Sequence, residues 1–77
     1  MTAKQDAALN VIAQVSGKDV ASLKPTLELT ADLGIDSPKG LDLLMRLEEA
    51  LGFEIGDEDA ARMTTVGDVL TFVGNKA

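Results

Sequence analysis

Apolar residues near the start of the chain are spaced as on one face of a helix. The positions that recur in this way are Ala8, Leu9, Ile12 and Val15. Thr2 and Gln5 form the signature of a capping box in front of them, and Ser16-Gly17 ends the pattern. This spacing predicts a first helix over residues 3–15.

The last part of the chain has a similar amphipathic pattern. The residues that follow the i, i+3, i+4, i+7 spacing are Val66, Val69, Leu70 and Val73. Thr64 or Thr65 precedes them as an N-cap. Gly67 costs this helix about 1 kcal/mol relative to alanine, so we expect either close packing or a loose helix end at this residue.

Residues 16–36 break the helical pattern, with Pro25, Thr30 and Gly34 as turn signals. The apolar residues expected to anchor this segment are Val20, Leu23, Leu27, Leu29 and Leu33. So long a connection in so small a domain is either functional or held down by its own side chains. The leucines favour the second explanation.

Two more helices are predicted in the middle of the chain. The first covers residues 38–51, with Ser37 as its N-cap, Pro38 as its first residue and Gly52 as its C-cap. Its core-facing stripe consists of Leu43, Leu44, Leu47, Ala50 and Leu51. A short helix over 57–62 begins with three acidic residues, which suit the positive end of a helix dipole.

The predicted elements indicate an all-α protein. Only FEI at 53–55 carries a strand signal, and no repeat, low-complexity tract or linker divides the chain. We therefore expect a small four-helix bundle with three longer helices, one short helix and a long first loop, in a single domain over residues 1–77.

Some large apolar residues of the second predicted helix lie away from its core stripe. Leu41 and Met45 lie roughly 120° and 160° from the centre of that stripe, and Ser37 heads the same strip. Asp42 and Glu49 flank the strip on one side, and Glu48 flanks it on the other. Apolar anchors inside a charged rim are typical of a docking surface. Packing of Leu41 or Met45 against a neighbouring element is the alternative, and the helical pattern alone leaves it open.

The composition excludes several kinds of site. The chain has no cysteine and no histidine, so disulfides and the usual zinc, copper and iron ligand sets are absent. A nucleophilic serine would lack its usual base, and the Asp32, Gly34, Asp36 spacing does not match a calcium-binding loop. We therefore do not expect an enzyme.

The net charge of −6 is concentrated in one part of the chain. Residues 32–61 carry nine acidic and two basic residues, a net charge of −7. This argues against nucleic acid and anionic membranes as partners and favours basic proteins, unless the acids serve only solubility. The start MTAKQDAALN is unlike a signal peptide, no run is long enough to span a membrane, and the lack of cysteine fits a reducing compartment. We expect a cytoplasmic protein.

The run DLGIDSPKGLDLLMRLEEALGFEIGDEDAARMTTVGDVLTFV, residues 32–73, resembles acyl carrier proteins. This resemblance implies that Ser37 carries 4'-phosphopantetheine, attached by a phosphopantetheinyl transferase that Asp36 assists. It further implies a monomer that docks on acyl-processing synthases and transferases with basic surfaces. The matching docking positions are Leu41, Asp42, Met45, Glu48 and Glu49. Ile55 matches a position near the mouth of the acyl cavity, with Leu47 and Val66 as further lining.

Two residues depart from the family pattern. Pro38 stands where a bulky apolar residue is usual, and Lys39 stands where an acid is common, which reverses one charge of the docking rim. These departures point to a polyketide or specialised lipid pathway instead of housekeeping fatty-acid synthesis. Two alternatives remain: an aminoacyl or peptidyl carrier, and a non-carrier interaction module that is phosphorylated at Ser37.

Overall fold

Four α-helices form the framework of the chain in a computed structural model that describes residues 2–76 and, of residue 76, only the backbone. The helices are α1 (Ala3–Ser16), α2 (Ser37–Leu51), α3 (Asp57–Arg62) and α4 (Val66–Lys76). The described residues contain no strand, so the predicted all-α bundle of three longer helices and one short helix is confirmed. A 3₁₀ turn over Val20–Ser22 was not predicted. The two ends of the predicted domain, residues 1 and 77, lie outside the described range.

Side chains cap the starts of α1 and α4, as the sequence predicts. Thr2 Oγ1 accepts a hydrogen bond of 3.1 Å from the Gln5 N–H, and Gln5 Oε1 accepts one of 2.8 Å from the Thr2 N–H. At α4, Thr65 Oγ1 accepts a hydrogen bond of 3.1 Å from the Asp68 N–H. The Asp68 carboxylate accepts hydrogen bonds of 3.0 Å from the N–H groups of both Thr64 and Thr65. Thr65, and not Thr64, is therefore the capping residue.

The core lies where α1 packs against α2 and α4. Its buried residues are Ala8, Leu9, Val11, Ile12, Leu23, Leu29, Leu33, Ile35, Leu43, Leu47, Leu51, Ile55, Val66, Val69 and Val73. The ammonium of Lys4 donates a hydrogen bond of 3.0 Å to the carbonyl oxygen of Leu51, so the start of α1 meets the end of α2. The positive charge of Lys4 also interacts favourably with the negative end of the α2 helix dipole.

The prediction that Ala50 belongs to the core stripe of α2 is wrong. Leu43, Leu47 and Leu51 are buried and Leu44 is half-buried, but Ala50 is exposed. Leu43, Leu47 and Leu51 follow the i, i+4, i+8 row of the helix, and Ala50 lies at the edge of that row. Its methyl group borders an open groove between α1 and α2, where it is too short to fill the space.

The long first connection is held against the start of α4. Leu23, Leu29 and Leu33 are buried in the core, whereas Val20 is 41% exposed, so the expectation that Val20 anchors this segment is wrong. Backbone hydrogen bonds of 2.9 to 3.0 Å join the connection to the residues around the start of α4, in the pairs Leu29–Thr64, Leu27–Val66 and Pro25–Gly67.

Gly67 marks a close approach of two backbones. A Cβ atom at this position would lie 3.0 Å from the carbonyl oxygen of Pro25 and 3.2 Å from its Cβ. The Gly67 N–H donates a 2.9 Å hydrogen bond to that same oxygen. Of the two explanations for this glycine, close packing is the correct one.

Candidate functional site

The α2 helix is capped by Asp36 and not by Ser37. Asp36 has an extended backbone, and its Oδ1 accepts a hydrogen bond of 3.1 Å from the Lys39 N–H. Ser37 is thus the first residue of the helix and Pro38 the second, so the prediction of Ser37 as N-cap is wrong. An aspartate caps as well as a serine, and its negative charge also favours the positive end of the helix dipole. Asp36 takes the cap for this reason and leaves the Ser37 hydroxyl outside it.

The segment before Ser37 is tied to the core. Gly34 adopts a left-handed conformation with φ of +67°, which turns the chain toward α2. Ile35 is buried, and its N–H donates a hydrogen bond of 3.0 Å to the carbonyl oxygen of Leu29. Ser37 itself is exposed, and its hydroxyl makes no hydrogen bond to any described residue. The result is a firmly held helix start with an accessible hydroxyl.

Leu41 and Met45 point into solvent. Their exposed fractions are 66% and 67%, so neither packs against a neighbouring element, and the alternative of a core role does not hold for either. Both follow Ser37 along the exposed side of α2 at intervals of four residues. Lys39 is exposed as well. We call Leu41 and Met45 together the apolar strip.

The three carboxylates around the apolar strip differ in their surroundings. Both oxygens of the Asp42 carboxylate lie 3.1 Å from Nε of Arg46, one turn further along the helix. Glu48 is half-buried, and its Oε2 accepts a hydrogen bond of 2.8 Å from the N–H of Ile55. Glu49 is exposed beside the groove between α1 and α2. Only Glu49 is without a partner among the described residues.

An open cleft of about 590 Å³ lies between α2, α3 and the end of the first connection. Its rim is formed by the exposed residues that border it, which are Thr30, Asp36, Ser37, Leu41, Asp57 and Ala61. Its floor consists of the buried residues Leu29, Ile35, Leu43, Leu47 and Val69. Ser37 thus lies at the edge of a cavity with an apolar floor.

Of the three residues expected to line an acyl cavity, one borders this cleft. Leu47 belongs to the floor of the cleft. Ile55 and Val66 are buried at 5% and 0% exposure, but neither is among the described residues that line this cleft. Both pack into the core, because Ile55 is held toward α2 by Glu48 and Val66 is held toward the first connection by Leu27.

Several cleft residues were missed by sequence reasoning. Ala60 and Ala61 of α3 form a wall of small side chains, and Gly40 lies beside Ser37 one helical turn further on. The pair Ala60-Ala61 in an otherwise charged helix was an available signal, since small residues leave space next to a neighbouring element. Leu29 and Ile35 carried no such signal, because their place on the cleft floor depends on the path of the first connection.

Known protein families and solved structures include relatives of this chain. The family model described as "Phosphopantetheine attachment site" matches residues 6–73. The chain belongs to this family. A solved structure described as "a putative acyl carrier protein" from Mycobacterium tuberculosis is 32% identical with a TM-score of 0.86, covering 97% of this chain and 100% of that one. An acyl carrier protein from Enterococcus faecalis is 26% identical with a TM-score of 0.77 and full coverage of both chains.

The chain is therefore a carrier protein of the acyl-carrier type, whose cofactor is covalent 4'-phosphopantetheine. The residues at the start of α2 fit such a group. An exposed hydroxyl is available at Ser37, and the adjoining cleft is open to solvent along its rim. Within the described part of the chain, every helix is too short or too polar to serve as a membrane span.

Proposed function

We propose that this protein is an acyl carrier protein that holds acyl intermediates as thioesters on a phosphopantetheine arm attached to Ser37. The observation that carries the proposal is the exposed Ser37 hydroxyl beside Asp36, at the rim of the cleft between α2 and α3. The bound group supplies the terminal thiol that this cysteine-free chain lacks. The protein thus carries substrates and does not transform them.

The residues at the helix start have separate tasks in this proposal. Ser37 provides the hydroxyl oxygen of the phosphodiester, and its position at the exposed first turn gives a transferase access to it. Asp36 fixes the first turn through Oδ1, while its Oδ2 makes no hydrogen bond to any described residue and is free to assist a phosphopantetheinyl transferase. The start of the helix also tolerates the negative phosphate better than any other part of it.

The cleft offers a place for the carried acyl group. Burial of apolar surface stabilises a chain there by about 25 cal/mol per Å² removed from water. The floor around Leu43, Leu47 and Val69 would hold its apolar part, and the small side chains of Ala60 and Ala61 leave room for it. Ile55 and Val66, which the family resemblance also suggests, would contribute only from the core behind the cleft.

Partner enzymes would dock on the apolar strip and its charged surroundings. Leu41 and Met45 are the anchors in this proposal, and the charged rim consists of Lys39, Asp42, Glu48 and Glu49. The association should be weak and sensitive to salt, because exposed charges contribute much of it. We propose acyl-processing synthases and transferases as partners of the monomeric protein in the cytoplasm.

Pro38 and Lys39 support a polyketide or specialised lipid pathway within this proposal. Pro38 removes a bulky side chain from the first turn of α2, and Lys39 places a positive charge near the docking surface. Intact-mass measurement of the protein purified from its source would identify the cargo. An aminoacyl group on the arm would favour the alternative of an aminoacyl or peptidyl carrier.

A loading experiment tests the proposal. The purified chain is incubated with coenzyme A, magnesium and a broad-specificity phosphopantetheinyl transferase, and its intact mass is measured. We expect the gain of one phosphopantetheine, its loss in Ser37→Ala and its persistence in Ser22→Ala, a control at another exposed serine. An unchanged mass with several transferases, or loading of Ser37→Ala, would refute the attachment site.

A further inference from the structure

The acidic charge of residues 32–61 is divided unevenly between α2 and the residues that follow it. Within α2 there are three acidic residues against two basic ones, a net charge of only −1. The following residues 52–62 carry four acidic residues against one basic one, a net charge of −3. The acidic excess on and before α3 is therefore larger than that of α2, and it lies across the cleft from the apolar strip.

The opposite edge of the exposed α2 face carries charges of both signs. Lys39, Asp42 and Arg46 follow each other at intervals of three and four residues, so they are neighbours along this edge. Arg46 already occupies both oxygens of Asp42 at 3.1 Å. An incoming basic side chain would have to displace Arg46 to bind Asp42 in the same way. Glu49 flanks the apolar strip on the same side, so this edge holds two cations and two carboxylates and has no net charge.

Lys39 is the free cation of this edge. It is exposed, and its side chain makes no hydrogen bond or ion pair with any described residue. It follows Ser37 by two residues, which places it about 200° around the helix from Ser37. Its ammonium is therefore not directed toward the attachment serine and is available to a docked protein.

We propose that the partner enzyme that binds the apolar strip presents a carboxylate to Lys39, while its basic groups face the α3 side of the cleft. This inference rests on the proposed carrier function and deepens it. A uniformly basic docking surface would place a cation against Lys39, and such like-charge contacts are how charged rims exclude wrong partners. The partner expected from the family resemblance is thus refined from a basic surface to one with mixed charge.

The inference is tested with a ketosynthase whose pantetheine tunnel is surrounded by lysine and arginine residues, together with its single Lys→Glu and Arg→Glu variants at those positions. Dissociation constants are measured by titration against the wild-type chain, Lys39→Glu and Lys24→Glu. The last is the matched control, since Lys24 is an exposed lysine of the first connection and lies outside α2. All measurements are made both before and after loading of the arm.

The wild-type chain should bind one glutamate variant of the ketosynthase roughly three- to tenfold more tightly than the unaltered enzyme, and raised salt should reduce this preference. Lys39→Glu should reverse the preference and Lys24→Glu should retain it. The inference is overturned if Lys39→Glu leaves the preference unchanged, if Lys24→Glu alters it equally, or if neither enzyme form is bound. Absence of loading contradicts the proposed function instead, and intact mass reports it separately.

Discussion

Glu48 and Ile55 are joined by a hydrogen bond of 2.8 Å between the Glu48 carboxylate and the Ile55 N–H, seven residues apart. The bond ties the loop after α2 back to the helix and gives the buried Ile55 a paired backbone donor. The side chain of Glu48 therefore has a structural task in addition to its proposed place in the docking rim.

Glu48→Ala should lower the free energy of unfolding by about 1–2 kcal/mol, because it leaves a part-buried N–H without its acceptor. Glu48→Gln should retain most of the stability, since its amide oxygen still accepts. Glu49→Ala is the matched control and should change stability by less than about 0.5 kcal/mol, as Glu49 is exposed and makes no described hydrogen bond. Urea denaturation measures all three, and equal effects of Glu48→Ala and Glu49→Ala would contradict the structural task.

Asp36 combines a helix cap with its proposed role in loading. Asp36→Ala should destabilise the protein by about 1 kcal/mol through loss of the cap, whereas Asp36→Asn should have little effect because asparagine also caps. If the charge assists the transferase, both variants should be loaded more slowly. Thermal denaturation and the rate of phosphopantetheine transfer separate the two roles. Normal loading of Asp36→Asn would show that the charge is dispensable.

The apolar strip should matter for binding and not for folding. Leu41→Ala and Met45→Ala should each change the free energy of unfolding by less than about 0.5 kcal/mol, because both side chains are exposed. Each should weaken partner binding by more than about 1 kcal/mol if these residues are anchors. Leu47→Ala provides the contrast and should cost about 2–5 kcal/mol of stability, since Leu47 is 1% exposed. If both variants bind the partner as tightly as the wild type does, the proposed docking role of the apolar strip is contradicted.

Gly67 and Gly40 are both helical glycines, but their surroundings predict opposite effects of alanine. Gly40→Ala should stabilise the protein by up to about 1 kcal/mol through helix propensity, because a Cβ there meets nothing within 4 Å. Gly67→Ala should destabilise it, since the new Cβ would press on the Pro25 backbone at 3.0 Å. Denaturation midpoints of the two variants provide the comparison. A more stable Gly67→Ala would mean that the first connection yields easily.

Asp68 should make the start of α4 sensitive to acid. Hydrogen bonds from the backbone N–H groups of Thr65 and then Thr64 hold the pKa of Asp68 below its ordinary value. Because its pKa is lower in the folded state, the ionised Asp68 carboxylate stabilises the folded protein at pH values above its unfolded-state pKa of about 3.9. This stabilisation is lost as the pH falls through the folded-state pKa. The stability difference between the wild type and Asp68→Asn should therefore be constant near neutral pH and shrink in acid. A stability difference that does not change with pH would contradict this prediction.

Local features of the chain were predictable because neighbouring residues in the sequence decide them. The spacing of Ala8, Leu9 and Ile12 predicts α1, and Gly52 ends α2 as expected. The Thr65 cap is likewise a contact within one helical turn. Ser37 shows the limit of such local rules, since two adjacent residues could both cap α2 and the charged Asp36 took the position.

The sequence by itself determined the all-α class, the helix positions and the family, since periodicity and motif are properties of short stretches. Only the tertiary structure decided that Leu41 and Met45 are exposed, because this depends on which elements pack beside α2. It also decided that Ile55 and Val66 belong to the core and that Ser37 borders a cleft. The path of the first connection and the position of α3 shape that cleft, and both depend on contacts between residues far apart in the chain.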